Sequence, residues 1–111
     1  MIVTLTNHSL TAQIDSIGAQ LISLKNASGT EYIWQRDPAH WKSCSPLLFP
    51  TVGNCRDGKY SLNGQTYAIP KHGFCRNAGF TVSVLSEQEA SITLTDSPET
   101  RASYPFAFQL K

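Results

Sequence analysis

Apolar and polar residues alternate with a period of two along most of the chain. Leu10, Ala12 and Ile14 are set against Thr11 and Gln13, and Phe80, Val82 and Val84 against Thr81 and Ser83. Ala90, Ile92 and Leu94 alternate in the same way with Ser91, Thr93 and Thr95. Successive side chains of a strand point to opposite faces, so this pattern predicts half-buried strands. Ser28-Gly29, Asp57-Gly58 and Asn63-Gly64 separate the runs. Asn63-Gly64 lies between Tyr60-Ser61-Leu62 and Gln65-Thr66-Tyr67-Ala68-Ile69, the arrangement of a tight hairpin whose two turn residues take positive φ. One helical turn is expected at Asp37-Pro38-Ala39-His40-Trp41, with Asp37 as its cap and Pro38 in the first position. The fold class predicted is all-β, an antiparallel meander with little helix. Without an internal repeat, low-complexity tract or linker, residues 1–111 read as one domain.

The last residues carry a further pattern. Tyr104, Phe106, Phe108 and Leu110 share one parity, and the chain stops at Lys111 without a turn or polar tail. A strand cut off before its partner is the expectation. An apolar edge of that kind invites pairing with another chain, so self-association through an exposed C-terminal strand is expected as well.

Composition narrows the function classes. With 41% hydrophobic residues among 111, the chain can build one core. Nine Lys and Arg against eight Asp and Glu give a net charge of +1, and neither sign forms a block. Phosphate backbones require a concentrated basic face, so no nucleic-acid partner is expected. Nor is a membrane partner, since no apolar run reaches the roughly 18 residues of a spanning helix. Met1-Ile2-Val3-Thr4-Leu5-Thr6 lacks the blocks of a signal peptide. The odd number of cysteines, Cys44, Cys55 and Cys75, without a CxxC pair, suits reduced thiols. A soluble, cytoplasmic protein is the expected setting.

Functional groups crowd into two loops on either side of the predicted hairpin. Gly53, Asn54, Arg56, Asp57 and Gly58 precede it, and Lys71-His72-Gly73-Phe74-Cys75-Arg76 follow. A hairpin returns the chain to its starting end, which brings Arg56 near His72 and Arg76. Guanidinium and imidazole groups address oxygens in directed geometry, so convergent donors of this kind suit a polyol or a sugar phosphate. A purely structural role fits the same residues: glycines that shape turns, Asn54 as a cap, and Arg56 paired with Asp57 in solvent. His72 and Cys75, with Cys44 and Cys55, lack the paired short spacing of a zinc site, so no metal is expected. Nothing marks one thiol as an activated nucleophile beside His72. His8 and His40 read as surface residues. Trp34, Trp41 and Phe74 could stack on a sugar face, but Trp34 is assigned to the core.

Three stretches together resemble the aldose 1-epimerase (galactose mutarotase-like) family, and its LacX-like branch above all. They are Ser45-Pro46-Leu47-Leu48-Phe49-Pro50, Gly53-Asn54-Cys55-Arg56-Asp57-Gly58-Lys59-Tyr60 and Pro70-Lys71-His72-Gly73-Phe74-Cys75-Arg76. Gly18-Ala19-Gln20-Leu21-Ile22-Ser23-Leu24 and Asp96-Ser97-Pro98-Glu99-Thr100-Arg101, leading into Tyr104-Pro105-Phe106, agree with it in order and spacing. Cys55 departs from the mutarotase pattern, which reads Asn-Arg without an intervening residue, so the resemblance names no particular sugar.

The resemblance implies a galactose-mutarotase-like β-sandwich, a supersandwich of which residues 1–111 form the N-terminal portion. It implies an isomerase that interconverts sugar anomers by acid and base catalysis, with no metal or organic cofactor, acting on a small aldose that is free or phosphorylated. By the same resemblance Arg56 and His72 contact the sugar, and His72 orients or protonates near the ring oxygen. Asn54 and Arg76 are weaker binding candidates. The family's general base, a glutamate near the C-terminus, and its main acid, a mid-chain histidine, have no counterpart within these residues. A carbohydrate-binding module on the same fold is the alternative.

Overall fold

The computed structural model describes every residue from Met1 to Lys111. Three antiparallel sheets form in chain order. The first joins β1 (Ile2–Thr6), β2 (Leu10–Asp15) and β3 (Gln20–Asn26) in that spatial order. The β2–β3 register shifts between Gln13 and Ile14, which bulges the central strand. The second sheet is the hairpin of β4 (Lys59–Leu62) and β5 (Gln65–Ala68). The third holds β6 (Thr81–Val84), β7 (Ala90–Thr95) and the two-residue β8 (Gln109–Leu110). Strands dominate, as the alternation predicts.

The hairpin forms where the sequence places it. Asn63 and Gly64 have φ of 50° and 79°, the pair of positive values that a type I′ turn needs. Tyr60 and Tyr67 face each other across the strands with rings stacked at 5.5 Å, and Tyr60 Oη donates to the Ser103 carbonyl at 2.7 Å. The turn at Asp37 also forms. Its carboxylate accepts the Ala39 N–H at 2.9 Å, and its carbonyl accepts those of His40 and Trp41 at 3.1 and 2.9 Å.

Three expectations need correction. A short helix, α1 (Pro98–Ser103), stands where none was read. Ser97 caps it by accepting the Thr100 N–H while Thr100 Oγ1 accepts that of Ser97, and Pro98 takes the first turn. This helix cuts into the expected C-terminal strand: Tyr104 closes its last turn and Phe106 N–H donates back to the Tyr104 carbonyl at 2.8 Å. Only Gln109 and Leu110 pair, with Thr95 and Leu94 of β7. Tyr104 and Phe108 instead pack on Phe49, with centroids at 5.4 and 5.1 Å, and Tyr104 packs on Phe106 at 4.8 Å. Trp34, assigned to the core, is 41% exposed. It lies in the loop after β3 rather than on a strand face, and its indole N–H donates to the Trp41 carbonyl at 2.7 Å.

The first and third sheets are joined where the turn between β2 and β3 meets the segment entering β6. Ile17 pairs with Gly79, Phe80 N–H donates to the Ser16 carbonyl at 2.9 Å, and Gly18 N–H to that of Ala78 at 2.9 Å. Gly18 has φ +71°, and an added Cβ would stand 2.7 Å from the Arg76 carbonyl oxygen. Only glycine lets these segments approach so closely. The buried apolar residues are Val3 on β1, Ile22 on β3, Cys44, Ile69 just after β5, Cys75 and Phe80. No helix is long and apolar enough to cross a membrane.

Candidate functional site

The two loops flanking the hairpin are locked together by backbone. The Phe49 carbonyl accepts N–H groups from both Phe74 and Cys75, at 3.0 and 3.3 Å, and Phe49 bridges to Gly73 in parallel. Gly73 has φ +72°, and a Cβ there would overlap the Phe49 carbonyl. His72 itself has φ +67°. Two successive left-handed residues swing the chain so that His72 faces Gly53.

Gly53 and His72 then make a reciprocal pair. His72 N–H donates to the Gly53 carbonyl at 2.8 Å, and Gly53 N–H donates to His72 Nδ1 at 2.8 Å. An Nδ1 that accepts a backbone N–H carries no proton, so the ring proton sits on Nε2. The backbone thereby fixes the imidazole's orientation and its tautomer, and leaves Nε2–H as a donor.

His72 lines a recess of about 530 Å³ together with Lys71, Arg76, Trp41, Ser43 and Ser45. Cys44 and Leu48 floor part of it, and Cys44 Sγ donates to the Leu21 carbonyl at 3.2 Å. Of the residues singled out in the sequence, His72 and Arg76 come together here. Arg56 and Asn54 are not among the lining residues; both are exposed on the adjacent loop. Arg56 opens a 3₁₀ turn, Arg56–Gly58, that depends on Asp57 at φ 55°. The link between the two groups is Gly53, one residue before Asn54 and bonded to His72. Arg56 makes no ion pair with Asp57; the single ion pair of the chain joins Arg101 to Asp96. Ser43, Ser45 and Lys71 were not singled out as ligand residues. Their signal was the polar alternation Ser43-Cys44-Ser45 ahead of the Pro46 stretch, which has no meaning until the loops are folded together.

Cys75 lies beneath the site, fully buried in the 3₁₀ turn Cys75–Asn77. Burial pushes its thiol up to about 11, which keeps it protonated and unsuited to nucleophilic attack. Cys44, Cys55, His72 and Cys75 do not converge into a cluster of three ligands. His8 and His40 are exposed.

Known proteins give this geometry a context. The family model described as aldose 1-epimerase matches residues 1–111. The LacX proteins of Lactococcus lactis subsp. lactis, plasmid and chromosomal, are each 34% identical over 116 residues, covering all of this chain and 39% of theirs. A galactose mutarotase related enzyme from Lactobacillus acidophilus superposes with a TM-score of 0.92 at 37% identity, over 98% of this chain and 37% of that one. A galactose mutarotase-like protein from Lactobacillus casei ATCC 334 gives 0.93 at 34% identity with the same coverage. The chain therefore spans under two-fifths of the length of these relatives. Its antiparallel sheets follow the galactose mutarotase-like fold, and a match running through every residue on that fold makes this chain a member of the aldose 1-epimerase family.

Proposed function

We propose that residues 1–111 are the N-terminal, sugar-binding portion of a mutarotase-like sandwich in a cytoplasmic aldose 1-epimerase-like isomerase. The observation that carries this reading is the Gly53–His72 pair, which holds a neutral imidazole with its Nε2–H available at the recess. Anomer exchange begins when a base takes the proton from the anomeric hydroxyl. The C1–O5 bond then breaks with its electron pair moving to the ring oxygen, which takes a proton from an acid. Rotation about C1–C2 and reclosure on the other face complete the exchange. A fixed N–H donor suits the ring-oxygen side of this reaction. Arg56 and Asn54 address sugar hydroxyls from the loop that Gly53 joins to His72, while Arg76 does so from within the recess. The galactose mutarotase names of the structural relatives point to the same chemistry.

A carbohydrate-binding module on the same fold is the second reading; that no carboxylate of residues 1–111 lines the recess fits either, since the resemblance places the general base outside these residues. Polarimetry on freshly dissolved α-glucose and α-galactose separates the two. On the isomerase reading this chain alone binds sugar weakly and leaves the spontaneous rate almost unchanged, whereas a longer protein that contains it accelerates mutarotation. In that longer protein, His72→Ala and Arg56→Ala each reduce turnover, while His8→Ala does not; a loss at His72 approaching the roughly 10²–10⁴-fold worth of a general acid would mean that it donates the proton itself. Equal losses in all three variants would place the site elsewhere, and a parent that binds sugar without turnover would favour the module.

A further inference from the structure

We propose that His72 is a proton-operated tie: while its imidazole is neutral it holds the loop carrying Asn54 and Arg56 against its own loop, and protonation releases that loop. The release follows from the backbone pair alone; only its effect on sugar affinity rests on the sugar-binding reading. His72 Nδ1 accepts the Gly53 N–H at 2.8 Å, and the His72 backbone N–H donates to the Gly53 carbonyl at 2.8 Å. Within residues 1–111 these are the hydrogen bonds that join residues 50–55 to the loop following the hairpin. An imidazolium donates from both nitrogens and accepts at neither. A proton on Nδ1 therefore sets one N–H against another, and turning the ring over leaves the Gly53 N–H facing carbon. Either way that N–H loses its acceptor.

The loop is balanced for release at one end. Thr51, two residues before Gly53, has its hydroxyl oxygen buried by residues 1–111 themselves and without a partner. Closing the loop thus carries the cost of a desolvated hydroxyl, which the His72 bond offsets. The far end is anchored, since the Gly58 carbonyl accepts the Ile69 N–H at 2.9 Å and the Gly58 N–H donates to the Cys55 carbonyl at 3.0 Å. Release is confined to the Gly53 end, where it moves Asn54 and takes away the fixed approach of Arg56. The charged and titratable groups about the ring are Lys71 and Arg76 on its own loop, Arg56, Asp57 and Cys55 on the loop it holds, Cys44 in the recess wall and Cys75 beneath. Among side chains of these kinds, only imidazole ordinarily changes charge between about pH 7.5 and 5.5. A bond that needs the neutral ring is present above that range and lost as pH falls through it.

Nitrogen-15 labelling of glycine and histidine in a longer protein that contains residues 1–111 tests this. The Gly53 amide resonance should shift with the same midpoint as the His72 ring nitrogens. Its protection against hydrogen exchange, corrected for the intrinsic pH dependence, should fall roughly two- to tenfold between about pH 8 and pH 5, the worth of one hydrogen bond. His72→Asn keeps an acceptor near the Nδ1 position, tolerates the φ of 67° and does not take up a proton in this range. It should hold Gly53 protected at both pH values, whereas His72→Leu should leave it unprotected at both. Should a variant misfold, the two midpoints of the unaltered protein still decide. Gly53 protection that stays constant while His72 titrates would overturn the proposal, as would a pH-dependent loss that persists in His72→Asn. Galactose affinity should fall together with Gly53 protection. Release without galactose binding at any pH would overturn the sugar-binding reading and leave the tie standing, and pH-independent galactose binding with constant protection would do the reverse.

Discussion

Gly73 ties the chemistry of the site to a single backbone position. Its φ of +72° and the Phe49 carbonyl where a Cβ would sit mean that Gly73→Ala pays for both strain and overlap. A loss of about 2 kcal/mol or more is expected, against about 1 kcal/mol for Gly64→Ala, which has φ +79° but open space around it. Urea midpoints of the two variants check the contrast. Glu31 makes a second residue-scale prediction. The Ser23 hydroxyl and the Leu24 N–H, then the Ile33 N–H, donate to its carboxylate and hold it at about 2 rather than 4.5. A pKa lowered by folding means stability that is present above about 4.5 and lost as pH falls toward about 2. The urea midpoint should therefore drop between about pH 5 and pH 2, and Glu31→Gln should remove that part of the drop. Sequence reading found His72 through its loop and its family resemblance. It could not find the Gly53 N–H that fixes the ring's tautomer, because that contact depends on two left-handed residues in succession.

At the scale of elements, what was legible depended on how local the determinant is. Asn63-Gly64 specifies its hairpin within two residues, and Asp37 caps its turn within four. The signal for α1 was equally local, a capping Ser97 followed by Pro98 and an acidic residue. It went unread because the alternating aromatics just beyond it suggested a strand. Those aromatics answer to Phe49, distant in sequence, and not to a sheet neighbour. Ser97→Ala should remove the cap and cost about 1 kcal/mol. Because Tyr60 bonds to the last residue of α1, the same change should loosen the hairpin. Circular dichroism and a urea titration would register both effects, and an unchanged midpoint would show that α1 is held by packing on the hairpin alone.

The whole molecule is a slab of 56 × 35 × 16 Å with a radius of gyration of 16.6 Å, against about 13 Å for a compact chain of this length. Only 10 of its 111 residues are buried, and Ile2, Val52, Val84 and Leu85 are all more than half exposed. In residues 1–111 produced alone, that much uncovered apolar surface should draw copies together, and sedimentation of this chain should give a mass above 12.2 kDa. A monomer at tens of micromolar would refute this. The Gly18 junction has its own consequence for how such a thin body opens. With water near both faces, protection against hydrogen exchange depends on how many segments must separate together, and most loop amides are secured by one neighbour. At Gly18 three segments are joined, since its N–H is held by Ala78, its carbonyl by Leu47, and Phe80 is bonded to Ser16 beside it. The amides of Gly18, Leu47 and Phe80 should thus exchange among the slowest outside the strands, a point of late release between the first and third sheets.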